Sequence, residues 1–103
     1  TDLDERERLV ADIGDKHAMI LRNHGTLAVG ETAAACWVRM FFLERACAMQ
    51  VKALSAGREG VLTAPDEAVN ETRSQSTGIA KVSKLAWPGL LRKLDRELPG
   101  YDA

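Results

Sequence analysis

Short motifs that announce metal, thiol or nucleotide chemistry are missing from this sequence. It has no Cys-x-x-Cys, no His-Glu-x-x-His and no His-x-His, so no local run of residues can wrap a zinc ion by itself. Gly25 and Gly30 carry neither the Gly-Lys-Ser/Thr of a phosphate loop nor Gly-x-Gly-x-x-Gly spacing and read as turn glycines. No apolar run approaches the roughly 20 residues needed to cross a bilayer, so no membrane partner is expected. Net charge is only −1, too little to recruit nucleic acid or an anionic surface. Arg92, Lys93 and Arg96 make a small basic face, but Asp95 and Glu97 interrupt it; it reads as a solvated helix surface. The chain opens Thr1-Asp2-Leu3-Asp4-Glu5, the reverse of a basic then apolar leader, which points to the cytoplasm. The absence of an initiator methionine points to a processed or truncated piece. Internal repeats and low-complexity segments are also absent.

Cysteine is scarce as well. Cys36 and Cys47 are eleven residues apart in one expected helix. That spacing returns them to one face but separates them by ~16 Å along the axis, well beyond the roughly 7 Å that a disulfide spans between Cα atoms. They read as small buried thiols.

What is present fits a folded domain. The 103 residues are 46% apolar, enough for one domain with a modest core burying roughly 65% of its unfolded surface. Thr1 to Asp15 reads as a helix, with Asp2 or Asp4 as cap, acids in its first turn and Gly14 as its stop. Leu9, Val10 and Ile13 give it an apolar face. Ala18–Leu21 and Thr26–Val29 are strand-length apolar runs. Arg22-Asn23-His24-Gly25 between them reads as a tight turn, with Asn and Gly suited to positive φ. Both runs are apolar on both faces, which predicts a sheet covered on at least one side.

Glu31 to about Ser55 is the strongest helix, opened by Gly30 and Thr32 and closed by Gly57. Trp37, Met40, Phe41, Glu44, Cys47, Val51 and Leu54 follow 3–4 spacing, and Val38, Phe42, Ala46 and Met49 widen the stripe. So broad a face predicts burial against more than one neighbour; the aromatics read as core. Residues 57–60 read as a loop. Pro65 at a first helical position opens a weakly apolar helix to about Gln75, exposed or facing a partner. A polar break at Ser74–Gly78 follows. Ile79 to Trp87 is compatible with helix, but Pro88 disfavours helix at Trp87; a clear amphipathic helix is expected from Pro88 through Leu90, Leu91, Leu94 and Leu98, ended by Pro99-Gly100. Two short strands are marginal alone, and a long apolar helix needs covering. The chain therefore reads as part of a larger sheet protein, or as a subunit completed by another chain, and self-association is expected.

Of the two histidines, His24 sits at the turn tip, placed to coordinate a metal or shuttle a proton. His17 lies at the far end of the preceding strand, roughly 20 Å away if extended, too far to share an ion. Tyr101 is a second, weaker candidate, as a mobile proton donor in the tail; a frayed terminus is the plainer reading.

Leu21-Arg22-Asn23-His24-Gly25, then Val29-Gly30-Glu31-Thr32 and Phe42-Leu43-Glu44-Arg45-Ala46-Cys47, form a pattern that resembles the C-terminal part of the class II aldolase/adducin family. Ala86-Trp87-Pro88-Gly89-Leu90-Leu91-Arg92-Lys93-Leu94-Asp95 is similar to its less characterised bacterial branch. The resemblance spans nearly the whole chain. It implies that residues 1–103 are the C-terminal portion of one three-layer α/β/α domain, here a short β-hairpin plus several helices, in a protein that assembles as a homo-oligomer. It implies a divalent metal, zinc first, held by three histidines, of which His24 matches the third. The other two belong to a Gly-x-His-x-His segment well upstream that these residues do not contain, as do the acid/base glutamate and the phosphate-binding loops. Glu44 is not that glutamate and has a structural role. Tyr101 loosely matches a C-terminal tyrosine of some members. The implied activity is metal-dependent carbon–carbon lysis of a small hydroxylated carbonyl substrate, sugar phosphates included, with the 103 residues alone inactive. The alternative is a non-enzymatic adducin-like interaction module.

Overall fold

The computed structural model describes residues 2–75 and 78–103, apart from the Asp2 side chain. A helix start at Thr1, a cap by Asp2 and the middle of the break at 76–77 lie outside those residues. The order is α1 (Asp2–Ile13), β1 (Ala18–Leu21), β2 (Gly25–Ala28), α2 (Ala33–Leu54), a single 3-10 turn (Arg58–Gly60), α3 (Asp66–Gln75) and α4 (Ile79–Glu97).

Gly14 ends α1 as its composition demands. Its φ is +52°, and its N–H donates to Val10 O at 3.2 Å, the left-handed stop that glycine adopts without a Cβ penalty. Leu9 and Ile13 are half-buried, but Val10 is exposed, so the expected three-residue apolar face is narrower by one.

The hairpin pairs Ala18 with Ala28, Met19 with Leu27, Ile20 with Thr26 and Leu21 with Gly25 in antiparallel register. The second strand lies one residue earlier than its apolar run suggests. Val29 still extends the ladder, donating to His17 O at 2.9 Å. Among the described residues these two strands pair only with each other.

Thr32 caps α2. It is extended at φ −135°, ψ 157°, and its hydroxyl accepts from Ala35 N–H at 3.1 Å, satisfying one of the free amides of the first turn. The helix therefore begins at Ala33, two residues after Glu31. Residues two apart on a helix point nearly opposite ways, and α2 uses this. Cys36, Met40 and Glu44 bond to the hairpin side, while Val38 and Phe42 line the groove against α4 with Val82, Ala86 and Leu90. The first half of the long helix thus meets the sheet on one side and a second helix on the other. The aromatics expected in the core are not buried there: Trp37, Phe41 and Phe42 are 39%, 40% and 51% exposed, because no further layer covers them among the described residues.

At Pro88 the structure departs from the sequence expectation. The helix does not start at Pro88; α4 runs unbroken from Ile79 to Glu97 with the proline inside. Proline removes one backbone bond and crowds the preceding turn. Val82, Ala86 and Leu90 straddle it on one apolar stripe, and packing that stripe on α2 offsets the local cost. The 57–60 loop closes into the 3-10 turn, with Gly60 N–H to Gly57 O at 3.1 Å. Pro65 stands one position outside α3, its carbonyl accepting from Val69 N–H at 3.1 Å.

The core is small. Among the described residues only Ala35 and Val38 are buried apolar side chains, joined by Ser83, whose hydroxyl is satisfied by Ala80 O at 2.9 Å. The Cα radius of gyration is 17.1 Å, against about 13 Å for a compact chain of this length. Both cysteines are free. Among the described residues no helix is long and apolar enough to cross a membrane.

Candidate functional site at the hairpin tip

The hairpin turn is built from three sequence facts. Leu21 ends β1 and its carbonyl accepts the His24 N–H at 3.3 Å. Asn23 sits between them at φ +55°, the only non-glycine residue described with positive φ; asparagine tolerates that region better than other side chains. His24 itself is exposed, and its side chain has no hydrogen-bond or ion-pair partner among the described residues. Both ring nitrogens are free to bind.

Two clamps seat this hairpin on α2. Thr26, two residues past His24, donates its hydroxyl to Glu44 Oε1 at 2.7 Å, with Met40 Sδ at 3.3 Å beside the same oxygen. The carboxylate is the stronger acceptor, since thioether sulfur accepts weakly. Further along, Arg39 Nη1 donates to Val29 O at 2.6 Å, and Cys36 Sγ lies 3.8 Å from Gly30 O. The strand exit passes so close to α2 that a Cβ at Gly30 would meet Arg39 Nη1 at 2.7 Å, Ala35 Cβ at 3.2 Å and Cys36 N at 3.3 Å. Gly30 is therefore a close-approach glycine, more than the turn residue its spacing suggests.

Tyr101 is exposed and lies just past the end of α4. Gly100 turns the chain at φ +88°, and Tyr101 N–H donates to Leu98 O at 3.2 Å. Partial burial first, and then the negative charges of Asp95 and Asp102, hold the phenol above its ordinary value of 10.0. Asp15 shifts the other way: its hydrogen bond with Lys16 and then that residue's charge lower its carboxyl, at 3.0 Å.

His17 is exposed and its carbonyl serves the ladder. Among the described residues no group of three His, Cys, Asp or Glu side chains could hold a metal ion. The structure thus presents one exposed imidazole on a braced turn. The apolar pattern of the sequence does not reveal this brace, because Thr26 falls in a strand-length apolar run and its partner lies on the long helix. The available signal was a hydroxyl in an otherwise apolar strand.

Comparison with known proteins bears on this hairpin directly. Residues 1–51, which include it and most of α2, match the family model described as the Class II Aldolase and Adducin N-terminal domain. A Caulobacter vibrioides protein named "Putative aldolase class 2 protein" is 64% identical over 100 residues, covering 96% of this chain and 39% of that protein. Its Pseudomonas aeruginosa namesake is 41% identical over 103 residues, covering 95% of this chain and 39% of its own length. A solved aldolase II superfamily protein from Pseudomonas syringae superposes with a TM-score of 0.83 at 38% identity, over 98% of this chain and 41% of that one. This chain spans about two fifths of the length of each.

Proposed function

The chain belongs to the class II aldolase and adducin family, and from that premise we propose that it is the C-terminal part of a metal-dependent carbon–carbon lyase domain. The single observation that carries the reading is His24: an exposed, unpartnered imidazole on a hairpin tip fixed by the Leu21–His24 bond and the Asn23 turn. It fits one ligand position for a divalent ion, zinc first. The other ligands come from outside these 103 residues, so the chain alone turns nothing over. When bound, such an ion acts as a Lewis acid on the carbonyl and hydroxyl oxygens of a small substrate.

The chain's own residues orient and brace. An imidazole ligand at His24 would bring no negative charge to such an ion and would leave its positive charge available to the substrate. Glu44, tied to Thr26, is assigned no proton transfer. The bare apolar side chains of α2 support assembly of the whole protein as a homo-oligomer, since surfaces of that kind are normally covered. The reaction takes place away from any membrane, in the cytoplasm.

Metal content of the full-length protein tests the reading. About one ion per subunit is expected, lost in His24→Ala with folding retained. A metal-free protein, or one whose content is unchanged by His24→Ala, would overturn it and leave the hairpin as part of an adducin-like interaction surface.

A further inference from the structure

We infer that Glu44 is a positioning residue for His24: through the Thr26 hydroxyl it pins β2 to α2 and so fixes the hairpin tip. The inference rests on the metal-ligand reading above, and deepens it by naming what holds the ligand in place. A histidine at the end of a two-stranded hairpin has little support of its own, because such a hairpin is marginal in water and its tip is the first part to open. This tip is braced on one side only. The Thr26–Glu44 bond at 2.7 Å is the tertiary hydrogen bond that lies nearest His24 in sequence among those described. Arg39 to Val29 O holds the strand's other end, five residues from His24.

The geometry suits a strut. Thr26 pairs with Ile20 across the hairpin, so both strands are held when Thr26 is held. Glu44 lies one turn beyond Met40 on the stripe of α2 that faces the sheet, and both side chains meet the same hydroxyl. A single proton is shared between a strong charged acceptor and a weak sulfur, so loss of the carboxylate leaves only the weak contact. Glu44 needs no proton transfer to matter. It acts by limiting where the imidazole can be, and small displacements of a ligand or catalytic group lower rates and affinities steeply.

The test uses the full-length protein with Zn²⁺ as the probe. Glu44→Leu and Thr26→Val remove the acceptor and the donor; Glu44→Gln and Thr26→Ser keep them. Amide exchange is followed over residues 21–27 and, as an internal control for global stability, over residues 34–42. Zn²⁺ affinity is measured by competition with a chelator. The two breaking variants are expected to speed exchange in the hairpin about fivefold to tenfold, the size of one hydrogen bond, with α2 unchanged. They should weaken Zn²⁺ binding by a similar factor, and the two conservative variants should restore both. Unchanged hairpin exchange overturns the inference. So does faster exchange with undiminished Zn²⁺ affinity, because the brace would then exist without positioning the ligand. His24→Ala in parallel separates this failure from that of the metal reading: if Zn²⁺ survives that substitution, His24 is no ligand, and the exchange data alone report the brace.

Discussion

The two halves of α2 are both mostly apolar but have different surroundings. Residues 33–42 touch the hairpin on one side and α4 on the other, and Val38 there is 2% exposed. Residues 43–54 carry more polar side chains, Glu44, Arg45, Gln50 and Lys52 against Arg39 alone, but keep eight apolar ones, of which Val51 is 70% and Met49 67% exposed. The aromatic stripe marks the border: Trp37 and Phe41 stack with centroids 5.3 Å apart, Arg45 lies 5.2 Å over Phe41, and all three rim an open groove with Met40 and Glu44. A helix spanning both regimes buries only what its neighbours reach, because side-chain hydrophobicity supplies the drive to be covered but not the cover.

Alanine substitution along α2 breaks or sharpens this contrast most strongly. Val38→Ala should cost the full-length protein about 2 kcal/mol in urea denaturation, through lost burial and the cavity left behind. Val51→Ala should cost above about 1 kcal/mol there if oligomer contacts cover the second half; a loss under about 0.5 kcal/mol, typical of exposed sites, would show that this half stays bare. The junction between the halves' neighbours comes next. Gly30→Ala forces a methyl against Arg39 Nη1, Ala35 Cβ and Cys36 N, and should cost about 1–2 kcal/mol by overpacking. Gly78→Ala, with nothing within 4 Å of its added Cβ, should be close to neutral by the same denaturation measurement.

Pro88 offers a gain instead of a loss. Because α4 continues through it, Pro88→Ala should restore one helical hydrogen bond and raise stability by about 1 kcal/mol, after allowing for the greater freedom of the unfolded chain. Unchanged or lower stability would mean that the proline is packed in a way the helix needs. The smallest effect is electrostatic. The folded state raises the Tyr101 phenol above 10.0, so it binds that proton more tightly than the unfolded chain does. The resulting stabilisation is present below about pH 10 and is lost as pH rises through the raised value. An absorbance titration should place the Tyr101 midpoint above that of free tyrosine, and Asp95→Asn should lower it part of the way, since partial burial is the larger cause.

Much of the local structure was legible because local chemistry set it. Gly14 stops α1, Thr32 caps α2, and Asn23 takes the positive φ its turn requires. These signals act within a few residues and need no tertiary help. Boundaries moved by one or two residues where capping geometry, rather than apolar content, fixed the first helical residue. The α4 expectation failed for the opposite reason. Proline's local penalty was read correctly, but it was outweighed by packing between Val82, Ala86, Leu90 and α2, which pairs residues some forty positions apart. At the site, His24 and its turn could be picked out from Asn23-His24-Gly25 and the family pattern. Its brace could not, since Thr26 and Glu44 are eighteen residues apart and belong to elements of different period.

By itself, then, the sequence determined which segments are helix, strand and turn, and which residue stands at the hairpin tip. Turn chemistry, caps and apolar period are properties of short windows. Only the tertiary structure decided that α4 passes through Pro88, that Gly30 must be bare of a side chain, that Glu44 holds Thr26, and that Met49 and Val51 near the end of α2 are left exposed. Each of these depends on which surfaces meet, and burial and hydrogen bonding between distant segments are set by that meeting rather than by either segment alone.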